Sequence, residues 1–131
     1  MFLRAAQIER LFVYESEDGG ASSSEDLGLS HKTFRLVEGR PGRLGCSVIG
    51  GFPPPSIELY IGQRDVTSLF ALTSVVSLIG ERGLRVIRHW TRRSTVTYLP
   101  VAEDDEDTLK CIASVQGLEP LIDYAMLDVA C

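Results

Sequence analysis

The chain of 131 residues contains no asparagine, so no N-linked glycan can cover any of its faces. It also has no run of 18 or more apolar residues, and we expect none of it to span a bilayer. Its net charge of −5 and isoelectric point of about 5.0 exclude the broad positive face that nucleic acid or an anionic membrane would need. The whole surface is therefore expected to be available for contact with other proteins.

Residues that could catalyse a reaction or hold a metal are scarce. The two histidines, His31 and His89, lack the short spacing to cysteine or to each other that is typical of zinc sites. No serine lies in a Gly-x-Ser-x-Gly motif, and no cysteine, histidine and acid set has supporting context. The acidic run at 103–107 lacks the alternating ligands and central glycine of an EF-hand. We therefore expect no enzyme activity, metal, cofactor or small-molecule substrate.

A stretch rich in glycine, serine and acids divides the chain. Residues 15–30 read ESEDGGASSSEDLGLS, a composition typical of a linker or a disordered segment. The residues before it mix apolar and charged side chains in a pattern that fits either a short amphipathic helix or a strand. We predict a disordered N-terminal extension over residues 1–31 and one folded domain over residues 32–131.

The pattern from Lys32 onward predicts an all-β domain. Short stretches rich in valine, isoleucine, leucine and threonine are separated by the turn formers GRPG, GGFPPP and GERG. Period-two alternation is clearest in three segments, and each of them needs a buried face. No helix-length segment separates the strands, which favours an antiparallel sandwich or barrel. The alternating sets are Leu44, Cys46 and Val48; Ile57, Leu59 and Ile61; and Leu109, Cys111 and Ala113.

Two segments of the chain resemble the immunoglobulin superfamily in its adhesion-type I or C2 sets. GRPGRLGCSVIGGFPPPSIELY is similar to strand B, the following turn and strand C, and STVTYLPVAEDDEDTLKCIASV is similar to strands E and F. The resemblance covers residues 33–130 and implies an immunoglobulin-like antiparallel β-sandwich. It also implies a disulfide between Cys46 and Cys111, which in the chain-entropy model would stabilise the fold by about 4 kcal/mol.

The chain departs from the family pattern at two core positions. Leu59 stands where the family usually packs a tryptophan on the disulfide, and Leu109 stands where the tyrosine of the E–F corner is usual. We expect Phe52, Phe70 or Trp90 to recover the missing volume beside the bridge, with Trp90 the preferred candidate. The resemblance also makes Asp105, six residues before the second cysteine, a partner for an arginine, with Arg85 the preferred candidate. An aliphatic residue at the corner is closer to the nephrin-like branch of surface receptors.

Arginines flank the single tryptophan in the stretch RGLRVIRHWTRR at 82–93. Arg88, Trp90, Arg92 and Arg93 form a candidate protein interface, because arginine and tryptophan are favoured at interface hot spots. The alternative is an ordinary solvated strand face whose charges keep the edge from pairing with other strands.

These features predict a protein-binding module of a multi-domain cell-surface or secreted adhesion protein, with another protein, such as another immunoglobulin-like domain, as partner. The N-terminal residues form no secretory signal, so we expect a piece of a longer extracellular protein in which an oxidising compartment forms the disulfide. Cys131, directly after an apparent strand, fits such a piece. Two alternatives stay open: an intracellular module of a muscle-type filament protein and a soluble immune ligand-binding protein.

Overall fold

The computed structural model describes residues 5–15, 32–81 and 85–131, without the side chains of residues 75–90. The described residues form nine strands and two 3₁₀ turns. The strands are β1 (Ala6–Glu15), β2 (Thr33–Val37), β3 (Gly42–Phe52), β4 (Ser56–Ile61), β5 (Arg64–Asp65), β6 (Ala71–Glu81), β7 (Arg85–Tyr98), β8 (Thr108–Ser114) and β9 (Leu121–Ala130), and the turns are Thr67–Leu69 and Ala102–Asp104.

The strands form two sheets packed face to face. One has four strands in the order β1-β3-β7-β6, and the other has five in the order β2-β9-β8-β4-β5. Every pair is antiparallel except β2 and β9, which run parallel. The predicted all-β sandwich is confirmed. No helix among the described residues is long and apolar enough to cross a membrane.

The first strand corrects the predicted division of the chain. Residues 6–15 were expected to belong to the N-terminal extension, but they form β1 and pair with β3 from Ala6 opposite Phe52 to Glu15 opposite Leu44. Ile8 and Val13 on this strand are buried in the core, and their burial stabilises β1 in the sheet. The rest of the predicted extension, residues 16–31, lies outside the described residues.

A group of side-chain contacts joins β1 to the opposite sheet. The backbone N–H of Val13 donates to Asp123 Oδ2 at 2.8 Å, and Lys32 Nζ donates to the carbonyl of Val13 at 3.2 Å. Lys32 and Asp123 also form an ion pair with each other. Asp123 and Lys32 thus satisfy the polar backbone groups of Val13, which face away from the ladder with β3.

The core fills the space between the sheets, as the alternation predicts. Leu44, Cys46 and Val48 are buried on β3, while Leu109, Cys111 and Ala113 are buried on β8. On β4, Leu59 and Ile61 are buried, and Ile57 is partly buried against the same cluster. Isolated strands cannot bury these apolar rows, so each sheet depends on packing against the other for its stability.

On the surface of the four-stranded sheet that faces away from the core, the ring of Tyr14 fills the space beside Gly45, which has no side chain. Tyr14 is opposite Gly45 in the β1–β3 register, and a Cβ at Gly45 would clash with the tyrosine ring. Tyr14 is buried, and its ring centroid is 5.9 Å from that of Phe12. The absence of a side chain at Gly45 gives the tyrosine its place on the sheet.

The β6–β7 hairpin extends beyond the neighbouring strand. β6 and β7 pair from Ala71 opposite Thr95 to Glu81 opposite Arg85, whereas the pairing of β3 with β7 ends at Thr91. Six residues of β7, 85–90, therefore pair with β6 alone, a length of about 20 Å at the usual rise per residue.

Candidate functional site

The predicted disulfide between Cys46 and Cys111 is confirmed. Both residues are fully buried, and the bridge joins β3 to β8 across the two sheets with a Cα–Cα distance of 6.4 Å. Leu59 is opposite Cys111 in the β4–β8 register, and both Leu59 and Leu109 have no exposed surface. Aliphatic side chains thus occupy the core positions around the bridge.

The position of Trp90 along β7 bears on its predicted role beside the disulfide. It lies four residues from Ser94, the residue opposite Cys46, which corresponds to about 13 Å along a strand. Its side chain lies outside the described residues, so its packing on the bridge remains a prediction. Phe70, in contrast, belongs to the described core cluster and is 8% exposed.

The carboxylate that is buried in the turn before β8 belongs to Asp104 rather than to Asp105. Asp104 has no exposed surface, and its oxygens accept bonds from Arg64 Nη2 at 2.8 Å, Tyr98 Oη at 2.9 Å and the N–H of Val101 at 2.9 Å. The side chain of Arg64 is 59% exposed, so the positive partner stays solvated.

Asp105 is exposed and makes a different contact. Its carboxylate accepts a bond from the backbone N–H of Val129 at 2.9 Å and so connects the turn to β9. The predicted partner, Arg85, has a side chain outside the description, and that pairing remains a prediction.

The hydroxyl of Tyr98 anchors the turn before β8 from the end of β7. It lies at the end of β7 and donates to the buried carboxylate of Asp104, while Arg64 donates to the same hydroxyl at 3.2 Å. Burial raises the pKa of the Tyr98 phenol above its ordinary value. A tyrosine from strand β7 thus anchors the turn before β8.

We expect the raised pKa of Tyr98 to make stability fall at alkaline pH. A phenol whose pKa is higher in the folded state contributes stability below its unfolded pKa of about 10, and this contribution is lost as the pH rises through the folded value. Urea unfolding between about pH 8 and pH 12 should show a smaller alkaline loss for Tyr98→Phe than for the unsubstituted chain. Parallel curves would show that ionisation of Tyr98 is not coupled to folding.

The structure separates the members of the predicted arginine interface. Arg92 is partly buried, and its Nη1 donates to the carbonyl of Pro55 at the start of β4. Arg93 is exposed. Arg88 and Trp90 belong to the hairpin extension, and their side chains lie outside the described residues. Arg92 therefore has a contact within its own chain, and the interface as a whole remains a prediction.

An exposed apolar patch lies on the outer surface of the five-stranded sheet. Ile122, Tyr124 and Met126 alternate along β9 and are 55%, 45% and 48% exposed. In the neighbouring strand, Ile112 is opposite Ile122 and Lys110 is opposite Tyr124. We call the four apolar residues among them, Ile112, Ile122, Tyr124 and Met126, the β8–β9 patch. Contiguous exposed apolar residues of this kind mark sites of interaction with other proteins.

Polar groups border the β8–β9 patch. Lys110 Nζ lies 5.5 Å from the ring centroid of Tyr60 on β4, and Tyr60 donates to Glu58 at 3.3 Å. The negative charge of Glu58 raises the pKa of the Tyr60 phenol. An apolar centre with a charged border and an exposed tyrosine is typical of protein interfaces.

The alternation of β9 is a signal in the sequence for this patch. In the segment LIDYAMLDVA, one phase of the alternation carries Ala125, Leu127 and Val129, which are buried. The other phase carries Ile122, Tyr124 and Met126, so both faces of β9 are apolar. A strand with apolar residues in both phases has either two buried faces or one unpartnered apolar face.

Comparisons with known proteins establish the class of fold. The sequence matches no family model and no curated protein. Among solved structures, the chain is similar to Rst D1-D2, with a TM-score of 0.58 and 19% identity over 75% of this chain and 44% of that one. It is also similar to the ectodomain (Ig1-Ig3) of mouse nectin-like molecule 4, with a TM-score of 0.53 and 25% identity over 73% of this chain and 31% of that one.

The domain is thus an immunoglobulin-like β-sandwich, as the sequence predicts. The chain spans less than half the length of each of these two solved structures.

Proposed function

We propose that the domain is a protein-binding module of a cell-surface or secreted adhesion protein and that it binds its partner through the β8–β9 patch. The observation that carries this proposal is the row of Ile122, Tyr124 and Met126, each about half exposed on a regular strand. Such a row lowers solubility when it stays exposed to solvent. Its burial by a partner would contribute about 25 cal/mol of binding free energy per Å² of apolar surface.

The buried disulfide supports an extracellular location. Disulfides persist in secreted and surface proteins and are rare in reducing compartments. The nectin-like ectodomain similar to this chain consists of immunoglobulin domains. We propose a nephrin-like I or C2 domain, with another immunoglobulin-like domain as the preferred class of partner.

Substitutions on the β8–β9 patch test the proposal. The chain, presented in multivalent form, would be screened against an array of recombinant immunoglobulin-domain ectodomains that includes the chain itself. We expect Ile122→Asp and Tyr124→Asp each to weaken binding to the partner found by about tenfold or more. Melting temperatures should change little, because exposed substitutions usually alter stability by less than about 0.5 kcal/mol.

Leu99→Asp is the matched control. Leu99 is 57% exposed and lies in the turn after β7. The substitution therefore introduces the same charge at a similarly exposed apolar residue away from the patch. Binding that survives both patch substitutions but is lost in Trp90→Ala would place the interface on the β6–β7 hairpin and would contradict the proposal.

A further inference from the structure

Three arginines surround a pocket at the turn between β2 and β3. The pocket has a volume of about 300 Å³ and is lined by Arg35, Arg40 and Arg43. Its apolar part includes Leu36 and Gly42, and a Cβ at Gly42 would lie 3.0 Å from Leu36 Cδ2. The pocket therefore combines apolar lining residues with three arginines in a protein whose net charge is −5.

The turn that carries Arg40 is held by backbone hydrogen bonds. Glu38 N–H donates to the carbonyl of Ala130 at 2.7 Å, and Gly39 N–H donates to the carbonyl of Pro100 at 3.1 Å. Arg40 N–H closes the turn on the carbonyl of Val37 at 3.0 Å. These bonds fix the backbone of the turn before any ligand arrives, which lowers the entropic cost of binding.

Among the described residues that line the pocket, the only carboxylate belongs to Glu15, and it is already engaged. It accepts a hydrogen bond from the backbone N–H of Arg35, and burial raises its pKa. Within the described part of the chain, no residue accepts a hydrogen bond from the guanidinium of Arg35 or Arg40. The backbone N–H of Arg35 lies on the edge of β2 that faces away from β9, where an extended peptide would need to pair. Because this N–H already donates to Glu15, it is not available to such a peptide.

We propose that this pocket binds a sulfated saccharide chain. Guanidinium groups form bidentate, charge-assisted hydrogen bonds with the oxygens of sulfate groups. Val37 and Pro41 also line the pocket, and their exposed side chains offer contact to the apolar face of a sugar ring. Because Glu15 blocks strand addition at Arg35, a saccharide bound through side chains fits the site better than an acidic peptide does.

Calorimetry and amide chemical-shift mapping on the full chain test this proposal. The probe is a heparin-derived octasaccharide at about 0.15 M salt. We expect amide shifts clustered at residues 35–43 and an affinity reduced about tenfold or more in the double variant Arg35→Ala, Arg40→Ala. Glu15→Gln keeps an acceptor for the Arg35 amide and removes a negative charge, so it should strengthen binding about twofold to threefold.

The control variant is Arg85→Ala with Arg88→Ala, which removes the same charge from the β6–β7 hairpin and should change affinity less than about twofold. An equal loss of affinity in this control would show that the saccharide binds by general electrostatic attraction, and it would overturn the proposal. Equal binding of a desulfated octasaccharide, or tighter binding of a polyglutamate peptide of the same charge, would also overturn it. Ile122→Asp should leave saccharide binding unchanged, which separates this site from the proposed protein interface.

Discussion

Replacing Cys46 and Cys111 together with alanine is expected to lower the free energy of unfolding by about 4 kcal/mol. The two residues are 65 positions apart in the sequence, so the bridge restricts a long loop in the unfolded chain. Both are fully buried, and the substitution also removes sulfur atoms from the centre of the core. For a domain of this size, such a loss is a large share of the total stability.

Urea unfolding under non-reducing conditions measures this loss. Cys131→Ala serves as the background for all variants, because Cys131 is a free and exposed thiol that could exchange with the bridge. The bridged chain treated with reductant should approach the stability of the double variant. A difference below about 1 kcal/mol between the bridged and cysteine-free chains would contradict the expected contribution.

Asp104→Ala is expected to lower the free energy of unfolding by about 3 kcal/mol. The substitution leaves the hydroxyl of Tyr98 and the N–H of Val101 without the acceptor that the fully buried carboxylate provides. The loss of the ion pair with Arg64 should add less, because the side chain of Arg64 is mostly solvated. Asp104→Asn, which keeps an acceptor oxygen, should lose about half as much.

Asp105→Ala is the matched control for this prediction. It removes the adjacent carboxylate, which is exposed and accepts one hydrogen bond from the backbone of Val129. We expect a loss of about 1 kcal/mol in the same urea experiment. If Asp105→Ala destabilised the domain as much as Asp104→Ala, the buried carboxylate would not be the anchor of the turn.

Local alternation predicted the sandwich but not its first strand. The segments around Cys46, Leu59 and Cys111 each repeat every two residues, and the repeat is a property of neighbouring residues alone. The residues of β1 have no such clean repeat, since Leu11, Phe12 and Val13 follow one another directly. Their place in the sheet depends on pairing with β3, a contact between residues 29 to 46 positions apart that no local pattern contains.

The site residues show the same division between local and distant information. The sequence placed the cysteines correctly, because each lies on a clear alternating strand. It assigned an arginine partner to Asp105 from family spacing, and that pairing remains a prediction. The burial of Asp104 depends on where Tyr98 and Arg64 lie in the folded chain. The β8–β9 patch could have been suspected from the two apolar phases of β9, but which phase faces outward follows only from the packing of the sheets.

The contact between Tyr14 and Gly45 should be visible in the evolutionary record. The ring occupies the volume that any side chain at position 45 would need, so a substitution at one position changes which residues are tolerated at the other. In relatives of this domain, an aromatic residue at position 14 is expected to covary with glycine at position 45. Lineages that lose the ring become free to acquire a side chain opposite it, and the two positions then diverge together.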